Sequence, residues 1–131
     1  MRHNLFGYTL VSHWTARLAD GDPVQTATGL PIAIGPCIVT ADQADPQSMF
    51  VQLKIDGQDV AKGNLNGTAS SLFALIAQAS RQDVLERGDA FALGPFAPSM
   101  GGGSRQLWPG ALVELAAEGV GTLRNRLAER G

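Results

Sequence analysis

Met49, Val51, Leu53 and Ile55 recur at every second position, with the polar residues Gln52 and Lys54 between them. Period-two alternation sends successive side chains to opposite faces, so it predicts a strand in a sheet with one wet side. Asp56-Gly57 follows. This pair tolerates the positive φ of a two-residue hairpin turn, and it predicts a return strand around Val60 that ends at Gly63-Asn64 and Asn66-Gly67. The period then changes. Leu72, Phe73, Leu75, Ile76 and Ala79 fall on one helical face, with Thr68 or Ser70 placed to cap the first turn, so one helix is predicted over 68–81.

The remaining elements are less regular. Phe6 to Val11 alternates and is rich in strand formers, which predicts a strand from about Asn4 to Ala16, broken by the turn-forming run Asp20 to Pro23. Gln25 to Ile34 has little periodicity and reads as a partly buried loop leading to a strand at Cys37 to Thr40. Leu85 to Gly88 reads as a turn into a short strand at Asp89 to Leu93. Gly94 to Gly110 holds three prolines and the triplet Gly101 to Gly103, a composition for irregular chain. Ala111 to Ala117 and Leu123 to Arg130 have good helix propensity taken alone.

Composition narrows the function classes. With 131 residues, 44% hydrophobic and only 17% charged, the chain is expected to fold as one domain over 1–131 rather than stay disordered. Ten basic and twelve acidic residues give a net charge of −2 with no basic footprint for nucleic acid. The local excess at Arg124, Arg126 and Arg130 is diluted by Asn125 and Glu129 and reads as a solvated face. The single cysteine, Cys37, has no internal disulfide partner, and its neighbours Pro36, Ile38 and Val39 predict a buried small side chain. A reducing, cytoplasmic location is expected. No basic-then-apolar leader is present, and no apolar run approaches the ~20 residues that cross a bilayer, so neither secretion nor a membrane is expected.

The chemically capable side chains gather in Gly7 to Arg17, GYTLVSHWTAR, which ends in His13, Trp14, Thr15 and Arg17. With GPCIVT (35–40), IDGQ (55–58), RGDAF (87–91), PGALVEL (109–115) and GVGTLRNRL (119–127), it resembles in order and spacing the C-terminal half of the fumarylacetoacetate hydrolase family. The resemblance implies a mainly β, α+β domain of the mixed sandwich and roll type, usually dimeric. It also implies that 111–127 forms two strands meeting at Gly119 to Gly121, the sheet overriding helix propensity. Members of that family use a divalent metal, commonly magnesium or calcium, to hydrolyse, decarboxylate or hydrate small 2-oxo or diketo acids.

Carried over residue by residue, the resemblance loses its chemical groups. The family segment reads like N-D-x-[ST]-A-R-D; His13 stands where its metal-binding Asp would be, and Leu18 where its last Asp would be. The family's metal-binding Glu-x-Glu pair falls upstream of this sequence and has no counterpart in it. A family Lys falls near Thr26. The G-D-x-I-x-T-G-T loop corresponds to Gly88 to Pro95, keeping Gly94 but replacing a Thr by Pro95. The implied site is therefore His13 and Arg17 for catalysis and Trp14, Thr15, Arg17, Thr26 and Gly94 for substrate. No residue is assigned to metal. No cofactor is expected, with magnesium or calcium entering only if a partner supplies carboxylates.

Read without the family, the same residues have plainer roles. His13 and His3 lack metal-site spacing, so a surface role competes with a ligand or base role. Arg17 suits bidentate capture of a carboxylate, or an ion pair with Asp20 or Asp22. Gly101 to Arg105 lacks the Lys of a phosphate cradle, and Cys37 has no adjacent base to activate it. Three readings stand together. One is a degenerate domain acting as a binding or structural partner. The second is an active oxo-acid hydrolase, decarboxylase or other lyase, either completed by a separate N-terminal-half subunit or working without metal through His13 and Arg17. The third is a small organic-acid binding protein with a pocket of Trp14, Phe91, Phe96 and Trp108. A homodimer is expected, because a half-length sheet would leave an apolar face or open edge to cover.

Overall fold

The computed structural model describes residues 5–13, 32–65, 68–93 and 107–129. In chain order the elements are β1 (Gly7–Ser12), β2 (Ala33–Thr40), β3 (Phe50–Ile55), β4 (Gln58–Asn64), α1 (Thr68–Gln82), β5 (Leu112–Ala117) and β6 (Gly121–Arg126). Among the described residues they make a mainly β fold of two antiparallel sheets, β1-β2 and β4-β3-β5-β6, with one helix in the connection between β4 and β5.

The period-two run dictates the larger sheet. Val51, Leu53 and Ile55 pair with Ala117, Leu115 and Val113, which in turn pair with Gly121, Leu123 and Asn125, so one face is apolar across three strands. Gln52 and Lys54 pair with Ala116 and Glu114, and these with Thr122 and Arg124, which makes the opposite face polar. Asp59 sits among these polar groups, accepting from Gln52 at 2.7 Å and lying within 3.9 Å of Lys54 and 3.6 Å of Lys62. The β3-β4 connection is the two-residue turn Asp56-Gly57, with Ile55 opposite Gln58 and both turn residues at positive φ. This is the hairpin geometry that matches strand twist.

The apolar face is covered by the smaller sheet. Leu10, Met49, Val51, Ala117, Val120 and Leu123 form the main buried cluster, with Ala33, Val39, Ala44, Leu65 and Leu115 packed around it. β2 lies against β6, and β1 against β5 and β6. A second cluster of Ile55, Ala111 and Val113 closes the other end of the larger sheet, with Leu53, Val60, Leu107 and Leu127 around it. Within the smaller sheet the register steps from Tyr8↔Val39 to Leu10↔Gly35, so β2 spends two more residues than β1 over that interval. Gly7 is held so close to β2 that a Cβ there would run into the carbonyl oxygen of Val39.

Several expectations change. β1 is confined to Gly7–Ser12, short of the predicted Asn4 to Ala16. β2 begins at Ala33 rather than Cys37, because Val11 and Ser12 pair with Ile34 and Ala33 and draw them out of the predicted loop. No strand forms at Asp89 to Leu93; the Asp89 carboxylate instead accepts the Glu86 N–H at 2.9 Å and closes a turn. Cys37 is exposed rather than buried, its thiol donating to the Val120 carbonyl at 3.1 Å. The helix extends one residue past the predicted end, burying Leu72 while Leu75 stays partly exposed. Between 111 and 127 the sheet does override helix propensity, as β5 and β6 pair along their full length.

Candidate functional site

β1 delivers the one predicted catalytic residue that the structure describes. Ser12 is its last paired residue, opposite Ala33, and His13 follows directly, exposed to solvent. The other residues named for the site, Trp14, Thr15, Arg17, Thr26 and Gly94, lie outside the described residues, as does Phe96 of the proposed aromatic pocket. Of that pocket's remaining members, Phe91 is half-buried, while Trp108 is 50% exposed and its indole N–H donates to the Asp56 carboxylate at 3.1 Å.

The donor set decides what the described part of the site can hold. Among the described residues no three His, Cys, Asp or Glu side chains come together around a common point. Magnesium and calcium take oxygen ligands, and a solitary imidazole is a poor substitute for a carboxylate set. The described residues therefore do not fit a hard divalent cation by themselves.

Electrostatics is quiet where it is resolved. The Asp42 carboxyl, in the turn after β2, is held below the usual carboxylate range by the Gln43 side-chain amide at 3.0 Å and then by Thr40. Glu114 and Arg124 pair at 2.6 Å across β5 and β6 on the polar face. An open groove runs over the end of the larger sheet between Phe50, Gln52, Glu118 and Thr122. One contributor was not legible as such: Asp56 reads in sequence as a turn former, but its side chain reaches more than fifty residues along the chain, to Trp108 and Leu112.

Residues 2–128 match the profile of the fumarylacetoacetate (FAA) hydrolase C-terminal domain. The chain belongs to the fumarylacetoacetate hydrolase family. One relative of this fumarylacetoacetate hydrolase-like domain is a 2,4-didehydro-3-deoxy-L-rhamnonate hydrolase from Sphingomonas sp. strain SKA58. It is 31% identical over 101 residues, covering 73% of this chain and 35% of the relative. Two solved structures share the fold. A fumarylacetoacetate hydrolase from psychrophilic Exiguobacterium antarcticum matches with a TM-score of 0.56, 24% identity, and coverage of 76% and 36% of the respective chains. A 2-keto-3-deoxy-D-arabinonate dehydratase, complexed with magnesium and 2,5-dioxopentanoate, matches with a TM-score of 0.50 at the same identity and coverage.

The domain is thus related to hydrolases of this family and shares its fold with a dehydratase. The chain spans less than half the length of the curated relatives it matches. Among the described residues no helix is long and apolar enough to cross a membrane.

Proposed function

We propose that this fumarylacetoacetate hydrolase-like domain has lost the family's metal chemistry and serves as a binding or structural partner. The observation that carries the reading is His13. It occupies the place where the family segment supplies a metal-binding Asp, and it projects from the end of β1 with no carboxylate set among the described residues around it. An imidazole there removes one oxygen ligand, and Leu18 removes a second carboxylate from the same motif. In this reading Arg17, Trp14, Thr15, Thr26 and Gly94 are left to contact a small organic acid without activating it, and no cofactor is required. The working location is the cytoplasm.

A thermal-shift titration with magnesium and calcium tests this. A ligand at a hundredfold excess over its Kd stabilises by about 2.7 kcal/mol, so an intact site would raise Tm visibly. Degeneracy predicts no shift at micromolar to low millimolar metal; a saturable rise overturns it.

The family framework retained over residues 2–128 favours a second reading, an active oxo-acid hydrolase or lyase completed by a separate chain carrying the Glu-x-Glu pair. In that case the metal effect appears only after the second chain is added.

In either reading we propose that the chain self-associates as a homodimer. β1 and β2 carry no Asp, Glu, Lys or Arg, and Ile34 and Ile38 of β2 are 60% and 58% exposed, flanked by exposed Phe6 and Ile32. Identical uncharged apolar patches meet about a two-fold axis without like-charge repulsion. Light scattering at working concentration is expected to give twice the 13.7 kDa chain mass; a monomer refutes the association.

A further inference from the structure

Asp56 is an awkward residue for its own backbone. Its φ is +49°, in the left-handed region that disfavours a side chain, and glycine would occupy the position without strain. Asn and Asp tolerate such turns, so the residue type alone reads as turn chemistry. The carboxylate, however, takes no part in closing the turn. Oδ1 accepts the backbone N–H of Leu112 at 2.8 Å, and Oδ2 accepts the indole N–H of Trp108 at 3.1 Å. The Asp56 N–H in turn donates to the Leu112 carbonyl at 2.8 Å. Three hydrogen bonds therefore tie one turn residue to Trp108, at the start of the approach to β5, and to Leu112, the first residue of β5, beside the Ile55↔Val113 pair that ends the β3-β5 ladder.

We infer that Asp56 is a two-point anchor that fixes the approach to β5 and locks the orientation of the Trp108 indole. Both donors are N–H groups and both acceptors belong to one carboxylate. An ionised Asp is acceptor-only and satisfies both, whereas Asn would turn an NH2 toward one of them. The anchor explains why a strained L-residue holds a position that glycine fits better. It also holds a half-exposed tryptophan as a fixed aromatic surface instead of a free rotor, beside Ala111, the most deeply buried residue of the second apolar cluster.

The test turns on the sign of the Asp56→Gly effect. If Asp56 only shapes the turn, glycine relieves strain and the protein is unchanged or more stable. If it anchors, Asp56→Gly raises the unfolding constant several-fold, about as expected for losing two hydrogen bonds to a charged group less the strain relieved. It also shifts the indole 15N–1H resonance, assigned by its disappearance in Trp108→Phe, and speeds amide exchange at Leu112 by on the order of tenfold. Asp56→Asn keeps the turn and loses one of the two bonds, so it moves the indole or the Leu112 reporter and provides the reading should the glycine variant not fold. A stable Asp56→Gly protein with both reporters unmoved overturns the anchor, as does an Asp56→Asn protein in which neither reporter changes.

Discussion

Leu10 and Val11 are neighbours in β1 with opposite fates, and their contrast tests how the two sheets meet. Leu10 is 8% exposed and belongs to the main buried cluster, while Val11 is only half-buried and pairs with exposed Ile34 on the other side of the small sheet. Leu10→Ala deletes three buried carbons. At roughly 0.8 kcal/mol per carbon the transfer loss is about 2.4 kcal/mol, and incomplete collapse of the hole brings the cost to about 3 kcal/mol. Val11→Ala deletes two carbons that water already reaches in part, and should cost less than about 1 kcal/mol. Against a total stability of about 5–15 kcal/mol, the first change is severe and the second mild. For a chain of this size the difference corresponds to roughly 5–10 °C in Tm. Urea unfolding followed by circular dichroism, at one fixed protein concentration because association contributes to apparent stability, measures both variants. Equal costs for the two substitutions, or a larger cost for Val11→Ala, would refute the packing of β1 onto β5 and β6.

Other expectations follow from single contacts. Gly7→Ala places a methyl against the Val39 carbonyl and should cost about 1–3 kcal/mol by forcing β1 away from β2, seen as a lower urea midpoint. Arg124→Ala removes a cross-strand pair whose arginine is 65% exposed, and should change stability by no more than about 1 kcal/mol, less in high salt. The Asp42 carboxyl should titrate below an ordinary aspartate in a carbon-13 titration, and Gln43→Ala should move its midpoint upward. Because its folded pKa is depressed, whatever stability it lends is present above the unfolded value near 3.9 and fades as pH falls through the folded one; full exposure keeps that contribution small.

What was legible in the sequence divides along physical lines. The Met49 to Ile55 alternation and Asp56-Gly57 are local signals, and β3, the turn and β4 follow them. Thr68 to Gln82 is likewise local, with a face of Leu72, Phe73, Ile76 and Ala79. β5 and β6 were the reverse case: their composition favours helix, and only the resemblance to the fumarylacetoacetate hydrolase family pointed to strands. β2's early start and the missing strand at Asp89 to Leu93 depend on whether a neighbouring strand is available to pair, which no local window records. Cys37 misled because apolar neighbours predict burial only where another layer covers the strand, and Pro36, Cys37 and Ile38 are all exposed where β2 departs from its ladder with β1. Of the site itself, His13 lies just past β1, which stops short of the predicted Ala16; Arg17, Trp14, Thr15, Thr26 and Gly94 lie beyond the described residues. The reach of the Asp56 side chain to Trp108 and Leu112 left no mark in the order of residues, because both partners are distant along the chain.

The two surplus residues of β2 between Gly35 and Val39 carry an evolutionary consequence. Two is an even number, so Ala33, Gly35 and Val39 all stay on the inner side although the ladder is interrupted between them. Losing a single residue from Pro36 to Ile38 would invert the strand beyond it, turning Val39 outward and Ile38 or Thr40 inward, whereas losing two would shorten the excursion and leave every side chain on its present side. Length variation in this stretch is therefore quantised: descendants of this sequence can gain or shed residues there in pairs, while odd steps must be rescued by a second change elsewhere in the strand.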